Sequence, residues 1–233
     1  SVGGNTNEWD FWVYPSKLDM PKVVGNKQVA KNIYICDSLD AKALAVLKKG
    51  GKVLIQAAGR VTYGSDVKQT YLPVFWNTSW FKMRPPHTTG SYIDASHPVF
   101  ANCPTDDWQN LNWWELVNRA QIMNLAEFPA DYQSPFQPID TWHVSRKLGM
   151  IAEANVFGGK LLITTFDSSS RLDSRLVARQ LRKSILDYML SDSFAPSITI
   201  EPSVITDLFT KHAPAVNMFT NESPDELKPK IVR

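Results

Sequence analysis

The densest group of side chains that could carry chemistry or binding is IDTWHVSR, residues 139–146. It places Asp140, Trp142, His143 and Arg146 within one strand end or turn. An acid, a base and a cation beside an indole could bind a polar ligand, or could form a structural network that closes a bend. On a straight strand Asp140 and Trp142 would face one side and His143 the other, so the group converges only around a turn. Both interpretations stay open at this point.

The cysteines and histidines offer weaker candidates for catalysis. Cys36 ends a predicted strand in ICDS, but the glycines that a nucleophile elbow needs for its sharp turn do not flank it. Cys36 and Cys103 have neither a disulfide framework nor a zinc spacing, so we expect both to be small buried apolar residues. His97, in ASHPVF, is expected to be hydrogen-bonded within a loop, because the following proline favours extended backbone.

Carboxylate pairs and phosphate-binding loops give no clear signal either. Glycoside hydrolysis needs two carboxyl groups about 5–10 Å apart. Asp37, Glu153 and Asp167 could lie at strand ends, but nothing in the sequence indicates that two of them converge. Neither G-x-G-x-x-G nor G-x-x-x-x-G-K-[ST] occurs. We therefore predict no catalytic residue, no metal site and no cofactor.

The elements that would position these side chains indicate an α/β fold. Residues 31–39 form a predicted strand, Asp40 is an N-cap for the helix 41–49, and Gly50-Gly51 ends that helix. The apolar run 52–58 is a second strand. A strand, a helix and a strand within about thirty residues make a βαβ unit and favour a parallel sheet.

The rest of the chain adds a hairpin, a long helix and a tail. Gly158-Gly159 between two apolar runs predicts a tight hairpin turn. Residues 168–190 have the periodicity of an amphipathic helix. The other predicted features are a strand at 8–15, a loop-rich aromatic insertion at 59–120 with a helix at 112–120, short strands in QIMNL and FQPIDTW, and a C-terminal extension or linker at 191–233 with one short helix near SVITDLF.

The insertion is unusually rich in aromatic side chains. YLPVFWNTSWF, residues 71–81, contains Trp76 and Trp80, and the chain has eight tryptophans in all. Such rings could fill the core, form a domain or subunit interface, or stack on sugar rings. The adjacent Trp113 and Trp114 would point about 100° apart on a helix, so at most one can lie at the centre of a buried face.

Composition excludes several classes of partner and location. The net charge is +2 and no basic stripe is present, so nucleic acid is not an expected partner. No apolar run approaches the length of a transmembrane helix, and SVGGNTNEWD does not have the pattern of a cleavable signal sequence. We therefore expect no membrane insertion.

Four segments, in their order along the chain, resemble a known family. They are NEWDFWVYP, LPVFWNTSWF, PPHTTGSYIDASHPVFANCPTDDWQNLNWWELV and PIDTWHVSRKLGMIAEANVFGGKLLITTFD. This series resembles the C-terminal accessory region of multi-domain glycoside hydrolase family 2 proteins, which are β-galactosidases and sugar-binding relatives. The resemblance covers roughly residues 7–190.

The resemblance implies a fold, a location and partners. It implies a mostly parallel, flavodoxin-like sheet with helices on both faces, as in class I glutamine amidotransferases, over residues 1–190. It also implies a periplasmic or extracellular bacterial protein. The expected partners are other domains of the same glycosidase, with oligo- or polysaccharide and a second copy of the chain as further candidates. The catalytic barrel of such an enzyme takes about 250 residues, so the chain is interpreted as a non-catalytic segment. One alternative is a carbohydrate-binding module using Trp76, Trp80 or Trp142 with Asp140, His143 and Arg146. The other is an independent hydrolase or amidotransferase-like enzyme built around Cys36 or His143.

Overall fold

The computed structural model describes residues 3–4, 6–21, 29–30, 32–67, 69, 71, 88–118, 120–141 and 144–214. These residues form nine strands and four α-helices. The strands are β1 Val29–Ala30, β2 Ile33–Cys36, β3 Lys52–Gln56, β4 Gly90–Ile93, β5 Met123–Asn124, β6 Phe136–Ile139, β7 Leu148–Gly149, β8 Ile151–Val156 and β9 Gly159–Thr164. The helices are α1 Ala41–Lys48, α2 Trp114–Val117, α3 Leu176–Leu190 and α4 Pro202–Thr210.

Seven strands form one mixed sheet in the order β1-β2-β3-β9-β8-β6-β4. The pairs β2–β3 and β3–β9 are parallel, and the other four neighbouring pairs are antiparallel. The α/β class predicted from the sequence is confirmed. The predicted parallel pairing holds for the three central strands β2, β3 and β9, whereas both edges of the sheet are antiparallel.

Both faces of the sheet are covered. Leu54 and Leu162 belong to a buried cluster on one face, together with the apolar residues of α3. Val53 and Ile163 face the other way and pack with residues of α1 and α4. This two-sided burial explains why β3 and β9 have near-continuous apolar sequences rather than alternating ones.

The predicted βαβ unit forms as expected. Asp40 is the N-cap of α1, and its Oδ1 accepts a hydrogen bond of 2.7 Å from the backbone N–H of Ala43. Gly50 follows the helix with a φ of 77°, a conformation that glycine adopts without strain. The helix therefore begins and ends where its capping residues place it.

The predicted hairpin is confirmed, but its turn lies one residue earlier than expected. Val156 pairs with Gly159, so Phe157 and Gly158 form the turn, and Phe157 has the positive φ of 54°. Gly159 is needed for a different reason. A Cβ at this position would lie 2.7 Å from the Leu47 Cα, so only glycine allows α1 to approach β9 this closely.

The long helix begins at Leu176 rather than at residue 168. The carboxylate of Asp167 accepts hydrogen bonds from the backbone N–H groups of Ser169 and Ser170, at 3.1 and 3.0 Å. The Arg175 guanidinium donates to the backbone oxygens of Asp167 and Ser170. Arg171 has a φ of 47°, which an α-helix cannot contain, so residues 167–175 form a loop and the helix begins after it.

The predicted helix at 112–120 is shorter and begins as a 3₁₀ turn. Residues 111–113 form the 3₁₀ turn and α2 follows it. Trp113 is fully buried, and its ring centroid lies 4.9 Å from that of Phe136 and 5.6 Å from that of Phe166. Its Nε1–H donates to the Thr105 hydroxyl at 2.9 Å. Trp114 is largely exposed, which confirms that one member of the pair occupies the buried face.

The strand predicted near the start of the chain does not form, whereas the helix predicted near its end does. Residues 8–15, predicted as a strand, have no strand partner among the described residues and form no regular secondary structure. In the predicted extension, α4 covers the expected short helix, and its Ile205 and Leu208 are buried against the sheet. Among the described residues, no helix combines the length and hydropathy needed to cross a membrane.

Replacing Trp113 tests whether its indole holds the insertion onto the sheet. We expect Trp113→Ala to lower the free energy of unfolding by about 3–5 kcal/mol, because it leaves a cavity among packed aromatic rings. The adjacent Trp114→Ala is the matched control and should change it by about 0.5 kcal/mol or less. Urea unfolding of both variants measures the difference. Equal losses in the two variants would contradict this assignment of core and surface.

Candidate functional site

Asp140 and Arg146, two of the predicted site residues, contact each other directly. The Arg146 Nε donates to Asp140 Oδ2 at 2.8 Å, and its second terminal nitrogen reaches Asp140 Oδ1 at 3.2 Å. The backbone N–H of Arg146 also donates to Asp140 Oδ2. The turn between β6 and β7 is therefore closed by a bidentate ion pair, a geometry that guanidinium and carboxylate favour.

Arg146 has a second acidic partner on its other side. Its remaining terminal nitrogen donates to Asp66 Oδ2 at 2.7 Å. Burial acts to raise the pKa of Asp140, but the hydrogen bonds and charge of Arg146 outweigh it and lower that pKa. Because protein carboxylates already occupy the guanidinium, this geometry is the one expected of a structural network. An open cavity of about 430 Å³ lies beside it.

The remaining predicted site residues are Trp76, Trp80, Trp142 and His143, and they lie outside the described residues. Their role in binding stays a prediction.

The three carboxylates considered from the sequence are each engaged with different residues. Asp37 forms an exposed ion pair with Arg60 at 2.7 Å. Asp167 accepts a hydrogen bond of 2.8 Å from Arg175, whose Nε also donates to Glu115 at 2.7 Å. Burial opposes ionisation of Asp167, but hydrogen bonds from Ser169 and Ser170 and the Arg175 charge lower its pKa to about 2.

Glu153 belongs to a buried polar cluster that the sequence analysis did not assemble. The Tyr188 hydroxyl donates to Glu153 Oε2 at 2.8 Å, and His97 Nε2 lies 3.9 Å from Oε1. His97 Nδ1 accepts a hydrogen bond from the backbone N–H of Val99, so the neutral ring carries its proton on Nε2, facing the carboxylate. Burial raises the pKa of Glu153 and lowers that of His97. A glutamate within the apolar run IAEANV was the available signal for this cluster.

The two cysteines lie in different environments. Cys103 is fully buried, and burial raises its thiol pKa to about 12. Cys36 is partly buried at the end of β2, with its thiol 3.8 Å from the Leu54 carbonyl oxygen. Among the described residues, no group of three histidine, cysteine or acidic side chains is placed to hold a metal ion.

Six aromatic side chains of the described residues project into solvent; one of them is Phe157 in the β8–β9 turn, and we call the other five the exposed aromatic set. They are Trp9, Phe11, Tyr92, Trp108 and Trp114, with Trp9 73% and Phe11 86% accessible. Trp108 lies opposite Tyr92 beside the edge strand β4, with ring centroids 5.8 Å apart. Tyr14 connects the N-terminal segment to this region, because its hydroxyl donates to Asn112 Oδ1 at 2.6 Å.

Together these features define a mixed α/β domain with closed internal ion pairs and an exposed set of aromatic rings. Residues 34–210 match the model of a family described as a domain of unknown function, DUF8487. The chain belongs to this family. A comparison with curated proteins finds no match.

Removing Arg146 tests whether the Asp140 ion pair is structural. Arg146→Met should lower the free energy of unfolding by about 3–5 kcal/mol at neutral pH, because it leaves the buried Asp140 carboxylate without its cation. Asp66→Asn, at a half-exposed partner, should cost about 0–1 kcal/mol. Chemical unfolding of both variants measures these losses.

The pH dependence of that loss gives a second test. The folded pKa of Asp140 is lowered, so the pair stabilises the protein above the ordinary aspartate pKa and loses this effect as pH falls. The difference between wild type and Arg146→Met should therefore shrink below about pH 4. A difference that stays constant from neutral to acidic pH would contradict an electrostatic role.

Proposed function

We propose that the chain is a non-catalytic accessory domain of a secreted glycoside hydrolase of the family 2, β-galactosidase-like type. In this proposal it has a flavodoxin-like fold and contacts other domains of the parent polypeptide through the exposed aromatic set. The ordered series of segments described above supports the family, and the three parallel strands covered by helices on both faces support the fold.

The observation that carries the proposal is the N-terminal segment. Trp9, Phe11 and Val13 are all strongly exposed, and so is Asp10, whereas Trp12 and Tyr14 are partly buried. The Tyr14 hydroxyl holds the segment to the domain through Asn112. The segment is therefore attached to the domain while three of its apolar side chains stay exposed. Contiguous exposed apolar surface of this kind marks an interaction site.

The internal contacts of the acidic side chains are consistent with a non-catalytic role. Asp167 and Asp140 are each held by an arginine, and Glu153 is hydrogen-bonded to Tyr188. A pair of glycosidase carboxylates would instead face each other across a substrate. Each of these three acids has the environment of a group that stabilises its own part of the fold.

Contact with carbohydrate is the second candidate, and Trp108 favours it. The indole is 58% accessible and lies beside Asp106 and Asn110, which hydrogen-bond to each other at 2.7 Å. A half-exposed ring with polar neighbours can stack on the C–H face of a sugar while those neighbours bind hydroxyls. Titration with an oligosaccharide panel, followed by tryptophan fluorescence, distinguishes this candidate from domain contact.

A binding experiment with the parent polypeptide tests the proposal. The gene is first read upstream of Ser1, and the domain encoded there is expressed separately. We expect the two parts to bind, and Trp9→Ser with Phe11→Ser to weaken binding about tenfold or more, because aromatic anchors dominate interface energies. Phe157→Ser, at an exposed aromatic of the β8–β9 turn, is the matched control and should bind as wild type does.

Two results would count against the proposal. One is an upstream sequence without a glycosidase barrel. The other is an unaltered affinity in the Trp9 and Phe11 double variant, measured by calorimetry on a variant whose unfolding curve matches the wild type.

A further inference from the structure

A cavity of about 700 Å³ lies between the N-terminal segment and α3, next to the loop that follows β9. Its basic lining residues are Lys17, Arg179 and Arg182, and Asp173 is the acidic one. The volume is in the range of small-molecule sites. The cavity is therefore large enough for a small organic ligand and has an excess of positive charge.

Arg182 is the unusual residue of this cavity. It is only 8% exposed, and its one hydrogen bond within the described residues runs from a terminal nitrogen to the Ser168 carbonyl oxygen at 3.1 Å. No carboxylate of the described residues forms an ion pair with it. A guanidinium has five N–H donors, so four of those of Arg182, which lines the cavity, have no hydrogen-bond partner among the described residues.

Two further arginine networks among the described residues show which kind of partner Arg182 lacks. Arg146 bonds to Asp140 and Asp66, and Arg175 bonds to Glu115 and Asp167. Burial acts to lower the pKa of Arg146 and of Arg175, but their acidic partners outweigh it and raise both pKa values. Burial lowers the pKa of Arg182, where no such partner opposes it. Buried charges are ordinarily paired. Arg182 is thus a buried cation without an acidic partner in the part of the chain that is described.

In the neighbouring Arg179, part of the guanidinium group also lacks a hydrogen-bond partner among the described residues. One terminal nitrogen donates to the Pro15 carbonyl oxygen at 2.6 Å, but its buried Nε has no partner. Acidic residues outside the described ranges are limited by the sequence to Glu222, Asp225 and Glu226.

The position of the cavity agrees with a ligand site. Ser168 follows β9 and accepts a hydrogen bond of 3.2 Å from Gln56, the last residue of β3. The chain leaves β3 towards Val61 on the α1 face of the sheet, and it leaves β9 towards α3 on the opposite face. Open α/β sheets bind ligands outside the carboxyl ends of neighbouring strands whose connections diverge in this way.

We propose that this cavity binds a small organic oxyanion, a carboxylate or a phosphate, which pairs with the Arg182 guanidinium and is supported by Arg179 and Lys17. The inference is independent of the accessory-domain proposal, since it concerns a different surface. A planar guanidinium binds either anion in a bidentate manner, so the two chemistries are separated by experiment.

The test is thermal unfolding and calorimetry of the full chain with four probes at low salt: inorganic phosphate, sulfate, glucuronate and glucose 6-phosphate. At least one organic anion should raise the melting temperature by about 4 °C at saturating concentration, with inorganic ions weaker. A glucuronate response assigns a carboxylate ligand, and a glucose 6-phosphate response assigns a phosphate ligand. Arg182→Met should weaken that binding about tenfold or more. Arg60→Gln, at an exposed arginine, is the control and should bind normally.

The stability of the ligand-free variant separates a ligand site from a structural one. Arg182→Met should be as stable as wild type or more stable, because it removes an unpaired buried cation. A loss as large as that of Arg146→Met would overturn the proposal, as would the absence of a response to all four probes. Binding that appears only after Glu222, Asp225 and Glu226 are neutralised would place the missing partner in residues 215–233 and would also overturn it.

Discussion

The indole of Trp113 lies where three parts of the chain meet. It packs edge-on against Phe136 of β6 and against Phe100 of the 3₁₀ turn at 98–100, and at a tilt against Phe166 after β9. Those contacts attach residues 98–118 to the sheet, whereas Trp108 and Trp114 of the same segment lie on the surface. Among the described tryptophans, Trp113 thus belongs to the core, whereas Trp9, Trp108 and Trp114 remain available for contact.

A second constraint is that buried cations need anions. Arg146 and Arg175 satisfy it with pairs of carboxylates, and their networks close the β6–β7 turn and the loop before α3. Arg182, on the buried side of α3, does not satisfy it within the described residues. The same physical rule therefore assigns structural roles to two arginines and a binding role to the third.

The sequence predicted the parts of the fold that local signals specify. Asp40 and Gly50 bounded α1, and the apolar runs around residue 158 predicted the hairpin. The sequence did not predict the long-range contacts. The antiparallel pairing of β4 with β6 is an example, because it joins strands across a stretch of chain that has no periodicity. The late start of α3 depends on the positive φ of Arg171, which interrupts helical backbone and is not marked by any glycine in the sequence. Arg182 follows helical periodicity as a polar residue, so only the structure shows that it is buried.

The proposed function requires that another domain covers the exposed aromatic set. Fluorine NMR of the chain labelled with 5-fluorotryptophan tests it most directly. Because Trp9, Trp108 and Trp114 are exposed and Trp113 is buried, we expect the first three resonances to shift between H₂O and D₂O and the Trp113 resonance to stay unchanged. We also expect the Trp9 shift to disappear when the separately expressed parent domain is added. Trp9 and Trp108 resonances as insensitive to solvent as that of Trp113, or a Trp9 shift unchanged after mixing, would contradict the proposed function.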